Sequence, residues 1–252
     1  MAHTIQAWHQ RYVQQTRWTE AVASYLFQSA KISSSHKILE VGCGTGAVFQ
    51  ELIHPLGAAY CGLDIDPTYL AYFAQAHHNT CLTSGDAHHL PFSSGCFDVS
   101  LSHFVLLWVS YPAQMLSEMV RVTRSGGIIL ALAEPDYGGR IDYPQELSRL
   151  GQWQIDSLKH QGADPLIGRQ LRALFTNSGI TSVETGVLGG QWGSDFDQAE
   201  FNSEWDVLHA DLSRQPEKLI QLPRLKELDR LARQQGHRIL YVPTFYAWGY
   251  VP

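Results

Sequence analysis

Short apolar runs alternate with amphipathic stretches through the first half of the chain. Residues 37–41 (Lys-Ile-Leu-Glu-Val) read as a buried strand that ends in a glycine-rich turn, and residues 47–54 as a helix stopped by Pro55. Residues 58–63 form a second strand. Asp66-Pro67 then starts a helix, the acid as N-cap and the proline in the first turn, which runs to about His77. Further strands are expected at 80–83, 97–104 and 128–133, the last after the Ser125-Gly126-Gly127 turn, with a helix over 112–123. Alternation of this kind predicts a parallel sheet with helices on both faces.

Beyond residue 136 the rhythm changes. Residues 144–160 and 167–178 read as helices, the second ended by Gly179, and 181–191 as a strand. Residues 195–211 hold six acids and no Lys or Arg, whereas 214–238 hold seven basic groups and three acids. Two solvated helices facing each other account for that pattern ahead of a charged partner site. They precede an aromatic-rich final strand over 240–251, so the insertion is expected to lie beside the sheet's carboxyl edge as a cover.

Composition narrows the function. The chain has 252 residues, 44% hydrophobic, and a formal charge of −6, which fits a folded globular chain and disfavours a nucleic-acid partner bound through Lys and Arg. The acidity is local: residues 38–136 carry nine acids and two basic groups. The longest clean apolar run, residues 128–133, is far short of the roughly 20 needed to span a membrane. The N-terminal residues lack a basic region followed by an apolar core, so no secretory signal is expected. Cys43, Cys61, Cys81 and Cys96 form no paired motif and fit free thiols in a reducing cytoplasm. The 12 histidines give no metal-binding spacing, and no metal is expected.

The strongest chemical signal is Glu40-Val-Gly42-Cys-Gly44-Thr-Gly46, between the first strand and first helix. Alternate glycines allow a sharp turn and close approach of a ligand to the peptide planes, and the helix that follows turns its N–H groups toward the loop. Gly42-x-Gly44-x-x-Ala47 alone would also suit a dinucleotide. Asp64, at the end of the second strand, can accept both hydroxyls of a ribose, or simply cap the turn. Asp86, in Gly85-Asp86-Ala87 after the third strand, can accept from an adenine amino group, or likewise cap.

With these features in order, the chain resembles the class I S-adenosylmethionine-dependent methyltransferases over roughly residues 36–136. The resemblance extends through Asp86-Ala-His-His-Leu-Pro91-Phe92, Phe97-Asp98-Val-Ser-Leu, Val120-Arg121-Val122 and Gly126-Gly127. It is nearest to the small-molecule branch that includes the ubiquinone and menaquinone C-methyltransferases. It implies an α/β fold: a doubly wound, Rossmann-like, seven-stranded sheet, last strand antiparallel, with helical cover insertions. It further implies one domain over 1–252, made of a helical arm (1–36), a cofactor-binding half (37–136) and a substrate-side half (137–252) with an insertion at about 193–238. S-adenosylmethionine would be the cofactor and S-adenosylhomocysteine the product. Gly42 to Gly46, with the Cys43 backbone, would cradle the methionine part. Asp64 would hold the ribose, Ile65 and Tyr69 flank the adenine, Asp86 and Ala87 read its edge, and Ser102 and His103 sit near the sulfonium. Glu40 separates this pattern from a Rossmann dehydrogenase, which usually has an apolar residue there. Arg17, on an arm that often folds over the cofactor in this family, could pair with the methionine carboxylate.

Transfer from a sulfonium needs a base only if the acceptor must lose a proton. His103, Glu134 and Tyr137 are the candidates, all at or just past strand ends. No Asn/Asp-Pro-Pro-Tyr follows the fourth strand, so nucleic-acid bases are disfavoured as acceptors. Trp8, Trp18, Trp153, Trp192, Trp205 and Trp248 lie outside the cofactor half. They would line a pocket for an aromatic or lipophilic small molecule, or pack the cover. A protein that binds the cofactor without catalysis is the second class of reading.

Overall fold

The computed structural model describes residues 4–187, 189, 196–213 and 215–252. Along the chain run α1 (Ile5–Ser29), β1 (Lys37–Val41), β2 (Ala59–Asp64), α2 (Pro67–Ala76), β3 (Cys81–Ser84), β4 (Phe97–Ser102), α3 (Pro112–Val122), β5 (Thr123–Pro135) and β6 (Ile141–Tyr143). There follow α4 (Ser148–His160), α5 (Leu171–Asn177), β7 (Thr181–Val187), α6 (Gln198–Asp211), α7 (Pro216–Leu219), α8 (Leu222–Gln234), β8 (Ile239–Tyr241) and β9 (Thr244–Tyr250). The chain divides into two compact units. One runs to Glu134 and takes up again at Ile167 and at Thr244; the other comprises Pro135–Leu166 and Gly189–Pro243.

In the first unit, seven strands among the described residues form one sheet in the order β3-β2-β1-β4-β5-β9-β7. β1 to β5 pair in parallel, and β9 runs antiparallel to β7. This is the expected doubly wound sheet with its last strand antiparallel. The period-2 alternation of each strand supplies both faces. Leu39 and Val41 join Met115, Leu116 and Phe175 on one side. Ile38, Leu101 and Leu130 join Leu26, Phe49 and Phe73 on the other. Strand order reverses between β1 and β4, and open sheets of this kind bind ligands in the crevice outside such a switch point.

Some boundaries moved. The helical turns after the glycine loop run past Pro55, through a π turn at Phe49–Ile53 and a 3₁₀ turn at His54–Leu56, to Gly57 at φ 72°. Pro55 sits at the start of that last turn, where its missing N–H costs nothing, so glycine makes the stop. β5 begins at Thr123 because Gly126 and Gly127 stay paired with Val251 through bonds of 2.9 Å. The expected final strand is two strands. β8 pairs with β6 in the second unit, and β9 enters the main sheet beyond Pro243, which has no N–H to continue a ladder.

The second unit has its own core, of Leu147, Leu150, Phe201, Trp205, Leu222 and Leu225 among others. The acidic and basic helices do face each other, α6 against α8, but across a buried seam. Trp205 Nε1 donates to Asp229 Oδ2 at 2.8 Å, and Arg233 pairs with Glu204 at 2.5 Å. Arg238 joins Asp229 at 2.5 Å and Asp142 at 2.7 Å, so these buried charges are compensated. Among the described residues no helix is long and apolar enough to cross a membrane.

Candidate functional site

The loop after β1 places Gly42, Gly44 and Gly46 at φ 77°, 52° and 85°, a region that side-chain-bearing residues rarely adopt. Their surroundings differ. A Cβ on Gly42 would collide with Val105, 2.9 Å from Cγ1, and one on Gly46 with the Phe73 ring at 2.6 Å. A Cβ on Gly44 would meet only Tyr12 Cε2, at 3.9 Å. Packing therefore accounts for two of the glycines, whereas the space beside the Gly44 Cα is open apart from the Tyr12 ring.

Three acids lie near the carboxyl ends of β1, β2 and β3. Asp64 Oδ2 accepts the N–H of Gly44 at 2.7 Å, and Oδ1 accepts that of Asp66 at 2.9 Å; burial raises the Asp64 carboxyl above its ordinary value. Gly42 and Cys43 donate their N–H groups to the Leu63 carbonyl, which fastens the loop to the end of β2. Cys43 is buried, and burial pushes its thiol well up. Glu40 is buried beneath the loop, accepts from the Tyr60 hydroxyl at 2.7 Å, and is pushed by burial to about 8. Asp86 is exposed and accepts from His88 through its backbone N–H at 2.9 Å and its Nδ1 at 2.7 Å; these bonds hold its carboxyl below the ordinary range. His88 Nε2 accepts the Tyr111 N–H, which leaves the ring proton on Nδ1. Ala87 is half-buried, while Ile65, beside Asp64, is 72% exposed.

α1 lies over this edge. His9 Nδ1 reaches Thr45 Oγ1 at 2.9 Å, and Tyr12 meets Tyr69 edge to face with ring centroids 6.1 Å apart. Arg17 Nε pairs with Glu51 at 3.1 Å on a side chain that is 65% exposed, so the geometry places its Nε on a carboxylate of the chain itself. Gln14 is buried, and its Nε2 has no hydrogen-bond partner among the described residues. Tyr12, His9 and Gln14 went unnoticed in the sequence, because only the tertiary path of α1 brings them here. Tyr60 and His88 also went unnoticed, although Asp86-x-His88 is an Asx-turn signal.

At the end of β4, Ser102 Oγ is buried without a partner among the described residues. His103 Nε2 lies 2.9 Å from Thr19 Oγ1, and burial pushes its imidazole down to about 3. Thr19 Oγ1 also donates to the Thr16 carbonyl at 2.9 Å. A hydroxyl has one proton, so when it is spent on Thr16 the imidazole must be the donor to Thr19. Phe104 follows at φ 54°, an uncommon conformation for a bulky residue. Glu134 holds the turn after it. Its fully buried carboxylate accepts the N–H groups of Val105 and Leu106, both at 2.9 Å, and of Leu107 at 3.3 Å, while burial raises it to about 7. Tyr137 belongs to the other unit, half-buried in a 3₁₀ turn, with its N–H on the Pro165 carbonyl. Of the tryptophans, Trp205 and Trp248 pack cores, and Trp192 lies outside the described residues.

Comparison with known proteins agrees with this architecture. Residues 39–131 match the family described as a methyltransferase domain. The malonyl-[acyl-carrier protein] O-methyltransferase of Pectobacterium atrosepticum is 32% identical over 96 residues, 38% of either chain. The phthiotriol/phenolphthiotriol dimycocerosates methyltransferase of Mycobacterium leprae is 32% identical over 154 residues, 58% of this chain and 53% of that one. The chain thus spans about half or less of the curated relatives it matches. In fold it is similar to phosphoethanolamine N-methyltransferase 2 of Haemonchus contortus, solved with S-adenosyl-L-methionine. The TM-score is 0.58 at 12% identity, over 95% of this chain and 56% of that one. The glycine loop, Asp64 and Asp86 all fall within residues 39–131, the segment that matches a methyltransferase domain.

Proposed function

We propose that this protein transfers a methyl group from S-adenosylmethionine to a small-molecule acceptor and releases S-adenosylhomocysteine. The observation that carries the reading is the join between Gly44 and Asp64. It sets a left-handed glycine with open space beside its Cα against a carboxylate that keeps acceptor capacity for a ribose hydroxyl. The surroundings fit the cofactor, since Ser102 Oγ and Gln14 Nε2 are buried polar groups that need a partner, as buried groups generally do. When bound, S-adenosylmethionine supplies a methyl group already activated by its sulfonium.

The chain's own residues then bind and orient. Backbone groups of Gly42, Cys43, Gly44 and Gly46 take the methionine part, Ile65 and Tyr69 flank the adenine, and Asp86 with Ala87 reads its edge. Glu40 supports the loop from below. Arg17, whose Nε pairs with Glu51, would offer its remaining N–H groups to the methionine carboxylate. Ser102 and His103, at the end of β4, would sit near the sulfonium. Glu134 acts on the acceptor side by holding the Val105–Leu107 turn.

An imidazole held neutral by burial is a weak proton acceptor, and Glu134 already serves three N–H groups. Both features favour an acceptor that arrives ionised, such as a carboxylate, which has no proton to lose. One relative's name specifies O-methylation of a malonyl group, which supports an oxygen acceptor. Calorimetric titration with S-adenosylmethionine and S-adenosylhomocysteine tests binding, and turnover on panels of carboxylates, phenols and amines tests transfer. Binding of neither cofactor form sinks the reading, and turnover confined to amines overturns the ionised oxygen acceptor.

A further inference from the structure

The amino ends of the strands, at the edge opposite the glycine loop, carry chemistry that methyl transfer does not use. A cavity of about 410 Å³ opens there, lined by Lys37, Tyr60, Cys61, Cys81, Cys96 and Phe97 among others. Cys61 and Cys81 are register partners across the parallel pair β2–β3. Their side chains therefore leave the sheet on one face, with Cα atoms about 4.8 Å apart. That separation lies within the range of roughly 4.4–6.8 Å that a disulfide spans. The two sulfurs stand 2.8 Å apart, both as free thiols. Access is asymmetric: Cys81 is exposed on an edge strand, and Cys61 is buried beside it.

We propose that Cys61 and Cys81 form a modification site, a dithiol that a hydroperoxide converts into an intramolecular disulfide and a thiol reductant restores. The exposed Cys81 thiolate attacks the peroxide oxygen. An S–O bond forms, the O–O bond breaks, and the departing hydroxide takes up a proton as water. The Cys61 sulfur, after giving up its proton, attacks the Cys81 sulfur. The S–S bond forms as the S–O bond breaks, and the second oxygen leaves as water. Two thiols lose two electrons in all, and one hydrogen peroxide becomes two waters. The sheet brings the resolving sulfur to the attacked one, so bridging outruns further oxidation of Cys81. The inference stands apart from the proposed methyl transfer.

Hydrogen peroxide added to the full chain, followed by alkylation under denaturing conditions and mass mapping, tests it. The expected result is a loss of about 2 Da, one hydrogen from each thiol, two alkylatable cysteines in place of four, and a cross-linked pair of peptides containing residues 61 and 81. Dithiothreitol should reverse all three. In Cys61→Ser, Cys81 should instead proceed to the sulfinic acid. Cys81 overoxidised in the wild type while Cys61 stays alkylatable, a bridge from Cys81 to Cys96 or to a second chain, or four unreacted thiols would each overturn the proposal. The wild-type map decides the question even where a serine variant fails to fold.

Discussion

Asp64 Oδ2 accepts the backbone N–H of Gly44 at 2.7 Å, joining the carboxyl end of β2 to the middle of the glycine loop. One carboxylate thereby shapes the loop and borders the proposed ribose site. Asp64→Ala removes both functions. Cofactor affinity should fall at least tenfold by calorimetry, about 1.4 kcal/mol or more. Asp64→Asn keeps one oxygen for an N–H donor, so it should fold more nearly like the wild type and still bind weakly. Wild-type affinity in both variants would remove Asp64 from the site.

The glycines of the loop separate packing from ligand approach. Gly46→Ala drives a methyl into Phe73 in the core, and the protein should unfold at markedly lower temperature. Gly44→Ala meets no close neighbour, so its structural cost is limited to the left-handed backbone, roughly 1–2 kcal/mol. It should fold, yet lose cofactor affinity by more than tenfold. Calorimetry on the folded variant checks this, and unchanged affinity would return Gly44 to a plain turn.

Glu134 accepts three backbone N–H groups in the turn that follows the strained Phe104. Glu134→Ala leaves those buried donors without a partner, at about 1–3 kcal/mol for each one that water cannot reach. The expected outcome is a destabilisation of at least about 3 kcal/mol in urea unfolding. Glu134→Gln keeps one acceptor oxygen and should recover part of that loss. A stable Glu134→Ala variant defective only in turnover would instead restore Glu134 to the role of base.

These residues indicate what a sequence can disclose. The order of strands and helices was legible because apolar alternation and the Asp66-Pro67 start depend on neighbours along the chain. The glycine loop, Asp64 and Asp86 were legible because their spacing is local to strand ends. The split of the final strand was not, since β8 and β9 choose partners far away in sequence. The position of Glu134 at a strand end is legible, but its occupation by the amides of residues 105–107 depends on a turn about 28 residues earlier. Tyr12 and Gln14 were silent for the same reason, because a helix's amphipathic pattern does not say which sheet edge it crosses.

His103 offers a kinetic test. If it borders the methyl group without acting as a base, His103→Ala should keep cofactor affinity within about threefold while turnover falls, since the positioning contact is lost. Burial holds the imidazole near 3, so wild-type kcat should show no step near 6.5 that the variant lacks. A step of that kind, abolished by His103→Ala, would identify a general base. Loss of cofactor binding would move His103 to the methionine site.

Glu40 sets a stability signature of unusual sign. Its folded-state carboxyl titrates at about 8 against an ordinary 4.5, because burial beneath the loop outweighs the bond from Tyr60. Between those two values the folded chain binds a proton that the unfolded chain has released. Stability therefore falls as pH rises through the window and levels off above it. Other groups add their own slopes, among them Glu134 up to about 7 and the half-buried His103 in the acid range. The clean quantity is the difference from Glu40→Gln, which lacks the titration and shares the rest. Relative to that variant the wild type should lose on the order of a few kcal/mol between pH 5 and pH 8.5. Urea unfolding of both proteins at the two pH values measures it, and parallel pH profiles would mean that Glu40 is already ionised in the folded chain.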